Sequence, residues 1–252
     1  MRVTHFKHSA LLLDYPGTRI IVDPGNLADP ALLQTTGITA VLVSHQHPDH
    51  VTLDNLQVLV DQNPSADLFL EAGAYDEMRQ QAGPGSLGDS MRRVEPGKQF
   101  QVGTGFGGQV TVTIRAVGGE HATIHPDIPS VGNVGYVFEA DGFPTVGHTG
   151  DSLEPLDEWR GIDALSFPVC APWSKMQETI DFLREVKPVI GIPVHDAIAS
   201  PAGREIFMRL ATNLAPEGTE VRDWPVDGVI VLGRKASETS HKWRPWTGDP
   251  DD

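Results

Sequence analysis

The sequence is poor in three features, and each shortage narrows what the chain can be. Cys170 is the only cysteine among 252 residues, so no internal disulfide can form, which agrees with a reducing compartment. No apolar run approaches the roughly 18 residues that a membrane-spanning helix needs. Residues 1–15 show no basic segment followed by an apolar stretch and a cleavage site. We therefore predict a cytoplasmic protein without a transmembrane segment.

Basic residues are the third shortage. Lys and Arg number 19 against 34 Asp and Glu, which gives a formal net charge of −15 at pH 7 with neutral histidines. Nucleic-acid binding depends on a basic face that displaces counterions from phosphates, and no run of Lys and Arg here exceeds two residues. We expect no nucleic-acid partner. Bound divalent cations would offset the negative charge locally, so the composition leaves a small anionic substrate open.

Short apolar runs separated by Gly, Pro and Asp dominate the chain and predict strands. Amphipathic segments follow many of them and predict helices. This order indicates an α/β protein with two sheets packed face to face and helices outside, although periodicity alone does not separate that arrangement from an ordinary α/β sheet. No linker divides two compositions, so we predict a single domain over residues 1–234 and a polar C-terminal tail over residues 235–252.

Local signals predict where the chain turns. Tyr15-Pro16-Gly17-Thr18 and Asp141-Gly142 each predict a hairpin between two strands. Pro96-Gly97 predicts another hairpin. Ser174 and Gln177 have the spacing of a capping box, which predicts a helix that begins there.

One loop concentrates residue types that bind metals. The segment 44–50 directly follows an apolar strand and supplies His45, His47, Asp49 and His50. In an extended loop the first two turn the same way while the last two project past them, so one segment could serve two adjacent metal positions. Imidazole and carboxylate ligands suit zinc, iron or manganese. A merely polar surface loop is the alternative, but the end of a strand is the usual place for a functional site on a rigid scaffold.

This H-x-H-x-D-H motif resembles the signature of the metallo-β-lactamase superfamily, whose other ligands follow singly at later strand ends. The resemblance implies a four-layer αββα sandwich and two divalent metal ions, with Zn²⁺ favoured over Mn²⁺ or Fe²⁺. It assigns the first metal to His45, His47 and His121, the second to Asp49, His50 and His195, and a bridging role to Asp151. Asp49 and Asp151 are then the candidate catalytic carboxylates. Asp23 and His148 are expected to orient ligands from behind.

A narrower resemblance concerns the subgroup. Residues 8–25 and 135–152 look most like the ascorbate-6-phosphate lactonase group, and N-acyl phosphatidylethanolamine phospholipase D has a similar opening. Exported zinc β-lactamases carry a metal-binding cysteine where this chain has Asp151. Hydrolysis of antibiotics is therefore not the expected role.

Four further residues are candidates for substrate binding. His8 recurs near the site in the resembled group, and His125 lies in the loop after the third metal ligand. Trp173 and Lys175 fall between a strand and a helix on the side where the ligands gather, so the indole could form a pocket wall and the ammonium could meet an anionic group. The alternatives are structural: a hydrogen-bonded His8, a core Trp173 and a solvated Lys175.

The ligand set predicts a hydrolase. Two cations close together depress the pKa of a shared water toward neutrality, which gives a nucleophile for a carbonyl or phosphoryl centre. The expected substrate is a small ester, lactone or phosphodiester, and the ligands do not choose among them. The alternatives are a phosphodiesterase or phospholipase-like activity and an iron-dependent oxygen or sulfur enzyme on the same fold. A non-catalytic scaffold is disfavoured because no ligand is missing.

Overall fold

The computed structural model describes residues 1–233, and these residues form two seven-stranded sheets. Strands β1 to β14 are, in chain order, Arg2–His5, Leu11–Tyr15, Thr18–Val22, Ala40–Val43, Asp67–Glu71, Met91–Val94, Gln99–Val102, Val112–Glu120, Gly132–Glu139, Val146–His148, Ala164–Pro168, Ile190–Val194, Glu220–Val221 and Val229–Val231. The first sheet has the order β14-β1-β2-β3-β4-β5-β6, and the second has the order β13-β12-β11-β10-β9-β8-β7. The predicted polar tail, residues 235–252, lies outside the described residues.

The two sheets share one pattern of strand direction. From β14 to β3 the neighbours in the first sheet are antiparallel, and from β3 to β6 they are parallel. The second sheet repeats this pattern, antiparallel from β7 to β10 and parallel from β10 to β13. Parallel strands end at the same edge of a sheet, where open α/β folds place their ligands. The loops after β3 and β4, and those after β10, β11 and β12, are therefore positioned to build a site.

The alternation of side chains along each strand fills both faces of the first sheet. Leu11 and Leu13 pack in the central cluster between the sheets, together with Tyr136 of the second sheet. Leu12 and Ile21 point the other way, into the cluster beneath the outer helices. In runs such as SALLLDY and TRIIVD, apolar residues therefore follow one another without alternating with polar ones, because both faces of these strands are buried.

Helices cover the outer faces of both sheets. Helices α1 to α5 are Leu53–Gln62, Ala72–Ala82, Ser86–Ser90, Met176–Val186 and Pro201–Leu214, and short 3₁₀ turns lie at Pro30–Gln34 and Asp157–Trp159. Leu56 and Met78 pack on the first sheet, whereas Phe182 and Met208 pack on the second. The α/β prediction with its αββα layering is confirmed. Within residues 1–233, none of the helices has both the length and the apolar character needed to cross a bilayer.

Two of the three predicted hairpins form. Tyr15 pairs with Thr18 across the Pro16-Gly17 turn, and β9 pairs antiparallel with β10 around Asp141-Gly142. The hairpin predicted at Pro96-Gly97 is wrong. Strand β6 pairs with β5 in the first sheet, while β7 pairs with β8 in the second, so this turn carries the chain from one sheet to the other.

The predicted capping box is displaced by one residue. Helix α4 begins after Lys175, and the Glu178 carboxylate accepts a hydrogen bond from the Lys175 N–H at 2.9 Å. Ser174 and Gln177 do not form the box. A carboxylate is the better partner at this end because the helix dipole is positive there.

Candidate metal centre

The candidate ligands lie where strands of both sheets end. In the first sheet, Asp23 follows β3 and the loop 44–50 follows β4. In the second sheet, His121 follows β8, Asp151 follows β10 and His195 follows β12. The two facing sheets bring these loops together, so residues distant in sequence share one site.

Asp23 anchors the loop 44–50. Its buried carboxylate accepts hydrogen bonds from the Ser44 N–H and the Ser44 hydroxyl, both at 2.7 Å. It is also 2.8 Å from His50 Nδ1 and 2.9 Å from His148 Nε2. Burial alone would raise the pKa of Asp23, but the positive charge and hydrogen bonds of His50 and His148 outweigh burial and hold that pKa well below its usual range. The anionic carboxylate thus fixes His50 Nδ1 and leaves His50 Nε2 toward the site.

The backbone around the site is held in unusual conformations. Asp23, His8 and His195 adopt the left-handed region, with φ of 50°, 53° and 64°. For residues other than glycine such conformations cost on the order of 1–3 kcal/mol each, and they persist where the surroundings enforce them. Gly25 meets a different demand, because a Cβ atom there would overlap the Asp49 carbonyl group. Packing between the loops therefore fixes where the ligands point.

The first of two groups of donor atoms contains His45, His47, His121 and Asp151. One atom from each lies within 4.8 Å of all the others. His45 Nε2 is 3.0 Å from His47 Nδ1, and His121 Nε2 is 3.4 Å from Asp151 Oδ2. His121 Nδ1 donates to the Ala122 carbonyl, which leaves Nε2 able to bind a metal. The group contains the three histidines that the family resemblance assigns to the first metal.

The second group contains His8, Asp49, His50 and His195 within the same 4.8 Å. Asp49 Oδ2 is 3.6 Å from His195 Nε2 and 3.8 Å from His50 Nε2. His195 Nδ1 donates to the Cys170 carbonyl at 2.8 Å, so its Nε2 faces the group. His8, predicted from the sequence to bind substrate, lies with its buried ring among these ligands, and its Nε2 is 2.9 Å from Asp49 Oδ2.

Asp151 lies between the two groups. Its Oδ1 is 3.1 Å from His50 Nε2, and its Oδ2 is 3.1 Å from His195 Nε2. Burial opposes ionisation of Asp151, but the positive charges of His50 and His195 outweigh it and hold the pKa well below its usual range. Five buried atoms of the two groups have no hydrogen-bond partner among residues 1–233, and four of them gather at Asp151, namely His50 Nε2, His121 Nε2, His195 Nε2 and Asp151 Oδ1. The fifth is His8 Nδ1. Because unsatisfied buried polar atoms are costly, their convergence fits bound divalent cations.

Comparison with known proteins identifies the family of this chain. The family described as the beta-lactamase superfamily domain matches residues 2–195, a span that includes every candidate ligand. The chain belongs to the beta-lactamase superfamily. The resemblance carried by the H-x-H-x-D-H motif is therefore confirmed, whereas the narrower likeness to the ascorbate-6-phosphate lactonase group stays a prediction.

Two of three similar superfamily members carry hydrolase names. Protein Rv0786c of Mycobacterium tuberculosis is 36% identical over 222 residues, which cover 88% of this chain and 96% of that protein. A UPF0173 metal-dependent hydrolase of Xanthobacter autotrophicus is 29% identical over 160 residues, which cover 60% of this chain and 62% of that protein. Igni18, a metallo hydrolase from the archaeon Ignicoccus hospitalis, matches with a TM-score of 0.62 and 18% identity over 92% of this chain and 98% of that chain. This last likeness shows a shared fold.

A cavity of about 660 Å³ opens beside the first donor group, whose His121 is part of its lining. His121 and Trp173 form the part of its lining nearest the metal groups. Its acidic lining residues are Glu120, Glu154, Glu178, Asp181 and Glu185. No lysine or arginine from the described part of the chain lines it. The approach to the metal groups on this side is therefore acidic.

The other three residues predicted to bind substrate do not lie together in the structure. The Trp173 indole N–H donates to Asp151 Oδ2 at 3.0 Å, and its ring centroid is 5.8 Å from that of His121. Lys175 is exposed at the start of α4 and is not part of the cavity lining. His125 has a side chain that is 59% exposed, and its Nδ1 accepts a hydrogen bond from a neighbouring backbone N–H. The structure brings Trp173 to the metal groups and leaves Lys175 and His125 outside them.

Asn133 is a site residue that sequence reasoning missed. Its Oδ1 accepts a hydrogen bond from the Asp151 N–H at 2.9 Å and so fixes the turn that presents the bridging carboxylate. The two residues are 18 positions apart and meet only because β9 pairs with β10. No local signal separates this asparagine from any other polar strand residue, so only the strand pairing reveals it.

Proposed function

We propose that this protein is a metal-dependent hydrolase that binds two divalent cations and acts on a small ester, lactone or phosphodiester. The observation that carries the proposal is the convergence of buried, unpartnered nitrogen atoms on Asp151. The hydrolase names of relatives support it. His45, His47 and His121 would hold one cation, Asp49, His50 and His195 the other, and Asp151 would contact both.

The chain's own residues keep the ligands ready for this chemistry. When bound, the cations supply Lewis acidity, which makes water more acidic and polarises a carbonyl or phosphoryl oxygen. The Ala122 and Cys170 carbonyls orient the His121 and His195 rings with their Nε2 atoms inward. The Trp173 indole donates to the Asp151 carboxylate and holds it in place. Little rearrangement is then needed during turnover.

The acidic lining of the cavity indicates which substrates it would accept. Glu185 pairs with Arg160, which lies outside the lining, at 2.7 Å. The other four carboxylates have no lysine or arginine partner within residues 1–233, so an anionic substituent placed beside them would meet like charges. A neutral or cationic substituent would not. We therefore favour substrates whose scissile group reaches the metals while a neutral or cationic remainder occupies the cavity. The anionic substrate that the composition leaves open is the less favoured case. A cytoplasmic location and the lack of a nucleic-acid partner remain predictions from composition.

Elemental analysis of protein purified without chelator tests the metal count. We expect about two transition-metal ions per chain, because the two donor groups are distinct and Asp151 of the first group also lies 3.1 Å from His50 and His195 of the second. A stoichiometry that stays at zero or one after the metal-free protein is reloaded with Zn²⁺ or Mn²⁺ would contradict the dinuclear site.

A substrate panel tests the reaction. Lactones, carboxylic esters and phosphodiesters are each offered with a neutral, a cationic and an anionic substituent, before and after metal removal. We expect metal-dependent turnover of one bond type, with the anionic member the poorest. Metal-dependent oxygen uptake without hydrolysis of any member would replace the hydrolase by the iron-dependent oxygen enzyme.

A further inference from the structure

His8 lies in the turn between β1 and β2, outside the H-x-H-x-D-H motif and far in sequence from every other ligand. Its side chain is completely buried, and its Nε2 is 2.9 Å from Asp49 Oδ2. One donor atom from each of His8, Asp49, His50 and His195 lies within 4.8 Å of the others. A cation held by the last three would therefore lie beside the His8 ring as well.

The backbone of His8 is arranged to keep the ring there. Its φ of 53° and that of Lys7, 63°, are both in the left-handed region that favours glycine. The His8 carbonyl accepts hydrogen bonds from the His195 N–H at 2.9 Å and from His5 Nε2 at 2.8 Å. The His195 bond ties His8 directly to a ligand of the second group. Movement of the His8 ring away from that group would require this whole turn to reorganise.

The contact between His8 and Asp49 has two interpretations. In one, the His8 Nε2–H donates a hydrogen bond to the Asp49 carboxylate and serves only to orient it. In the other, His8 Nε2 presents its lone pair to the cation that Asp49 also binds. The His8 and His195 ring centroids are 4.0 Å apart, and both rings have a donor atom in the same 4.8 Å group, so His8 lies beside the position that His195 faces. There a lone pair is attracted by the cation, whereas an N–H proton is repelled by it.

We propose that His8 is a further ligand of the second metal position, an inference that rests on the two-cation site of the proposed function. The second position then has the donors His8, Asp49, His50, His195 and Asp151, against His45, His47, His121 and Asp151 for the first. Structural and catalytic zinc sites are satisfied by about four ligands, whereas Mn²⁺ and Fe²⁺ accept more. The two positions therefore differ in metal preference, with Mn²⁺ or Fe²⁺ favoured over Zn²⁺ at the second.

Cadmium-113 NMR of the loaded wild-type chain decides the coordination directly. Protein labelled with nitrogen-15 in its histidines is loaded with ¹¹³Cd²⁺, and the one-bond coupling between cadmium and nitrogen is recorded for each ring. We expect coupled nitrogens from all six histidines of the two groups. Coupling from only five, with His8 uncoupled, overturns the inference while the metal site of the proposed function stands. A chain that binds no cadmium, zinc or manganese overturns both.

A pair of variants supplies a second readout. His8→Gln should lose one coupled nitrogen and weaken the second metal by at least about tenfold in a chelator competition, with the first metal unchanged. His125→Gln is the matched control, since that exposed ring belongs to neither donor group. Equal affinities in the two variants would count against His8 as a ligand. The wild-type spectrum decides the matter alone if His8→Gln does not fold.

Discussion

The two sheets contribute residues to the two donor groups in different ways. The first sheet supplies its ligands mainly from one short loop after β4, which holds His45, His47, Asp49 and His50. The second sheet supplies His121, Asp151 and His195 from three separate loops. A single loop can be held by one shared anchor, whereas separate loops each need their own.

The anchors follow this division. Asp23 binds Ser44 through both backbone and hydroxyl and also binds His50, while the Ser44 hydroxyl lies 3.0 Å from His45 Nδ1. One buried carboxylate therefore orients residues of both donor groups. In the second sheet, Asn133 supports one ligand, Asp151, and its amide also donates to the Thr149 carbonyl of the same turn. The difference teaches that damage to the first-sheet anchor spreads through the site, whereas damage to a second-sheet anchor stays with one ligand.

The largest expected effect comes from the one second-sheet ligand that reaches both groups. Asp151→Asn keeps the size of the side chain but removes its charge, so the second cation should bind more weakly and turnover should fall by about a thousandfold. Folding should survive, because the core strands do not depend on this side chain. Metal analysis, circular dichroism and rates on the substrate from the panel measure these three outcomes. A variant that keeps two metals and most of its activity would show that Asp151 does not connect the two donor groups.

The next effect tests the contrast between anchors. Asp23→Asn removes the carboxylate that buried His50 and His148 share, and we expect the free energy of unfolding to fall by about 3 kcal/mol. Asn133→Ala breaks two neutral hydrogen bonds, one from the Asp151 N–H and one to the Thr149 carbonyl, and should cost about 2 kcal/mol. Urea unfolding of the metal-free proteins at pH 7 compares them. Equal losses of unfolding free energy in the two variants would show that Asp23, which supports both donor groups, stabilises the fold no more than Asn133, which supports one ligand.

A smaller effect isolates the indole hydrogen bond in the second-sheet half of the site. Trp173→Phe keeps an aromatic cavity wall but loses the N–H that donates to Asp151 Oδ2. We expect kcat/KM to fall by about tenfold with the metal content unchanged, since the carboxylate keeps its charge but loses one orienting contact. Loss of a metal ion in this variant would show that the indole supports metal binding itself.

The smallest effect concerns support from outside the site. Arg204 of α5 binds Asp196, the neighbour of His195, at 2.6 Å and also binds Asp223. Burial raises the pKa of Asp223, but the hydrogen bond and charge of Arg204 outweigh it and lower that pKa. A lowered pKa in the folded state adds stability at pH values above the unfolded pKa, and this stability is lost as the pH falls through the folded value.

Arg204→Gln should therefore destabilise the protein by about 1 kcal/mol at pH 7, and by less once the pH falls below the usual range of an aspartate. Thermal unfolding of the variant and the wild type at pH 7 and pH 3 measures the difference. A loss that is the same at both pH values would show that the arginine acts through packing rather than through charge.

The first-sheet half of the site was the more predictable half. His45, His47, Asp49 and His50 stand within six residues, so their spacing alone indicates a shared site. Asp151, by contrast, was found through the family resemblance. The resemblance could assign it a place, but no local pattern shows that Asn133 and Trp173 hold it. Those contacts exist only after the strands have paired.

Errors in the fold prediction have the same origin. The turn at Pro96-Gly97 was correctly located, but local turn chemistry does not state which partner each flanking strand takes. The sequence makes His8 a candidate site residue but does not indicate its partner Asp49, which lies 41 positions away. The acidic cavity wall was also missed, since its residues are scattered between 120 and 185. Periodicity reports burial and conformation along the chain, whereas these features depend on contacts across it.

Strand β14 completes the first sheet with residues from the far end of the described chain. Val229–Val231 pair with Arg2–Thr4 of β1, and the Met1 amino group donates to the Leu232 carbonyl at 3.0 Å. A ribosome delivers β1 first and β14 last. During synthesis the β1 edge is therefore exposed, and an exposed strand edge is a template for pairing with other chains. The first sheet, which carries the loop 44–50, stays incomplete until β14 has been synthesised. Slow translation of this last part would therefore prolong the time in which the chain can aggregate.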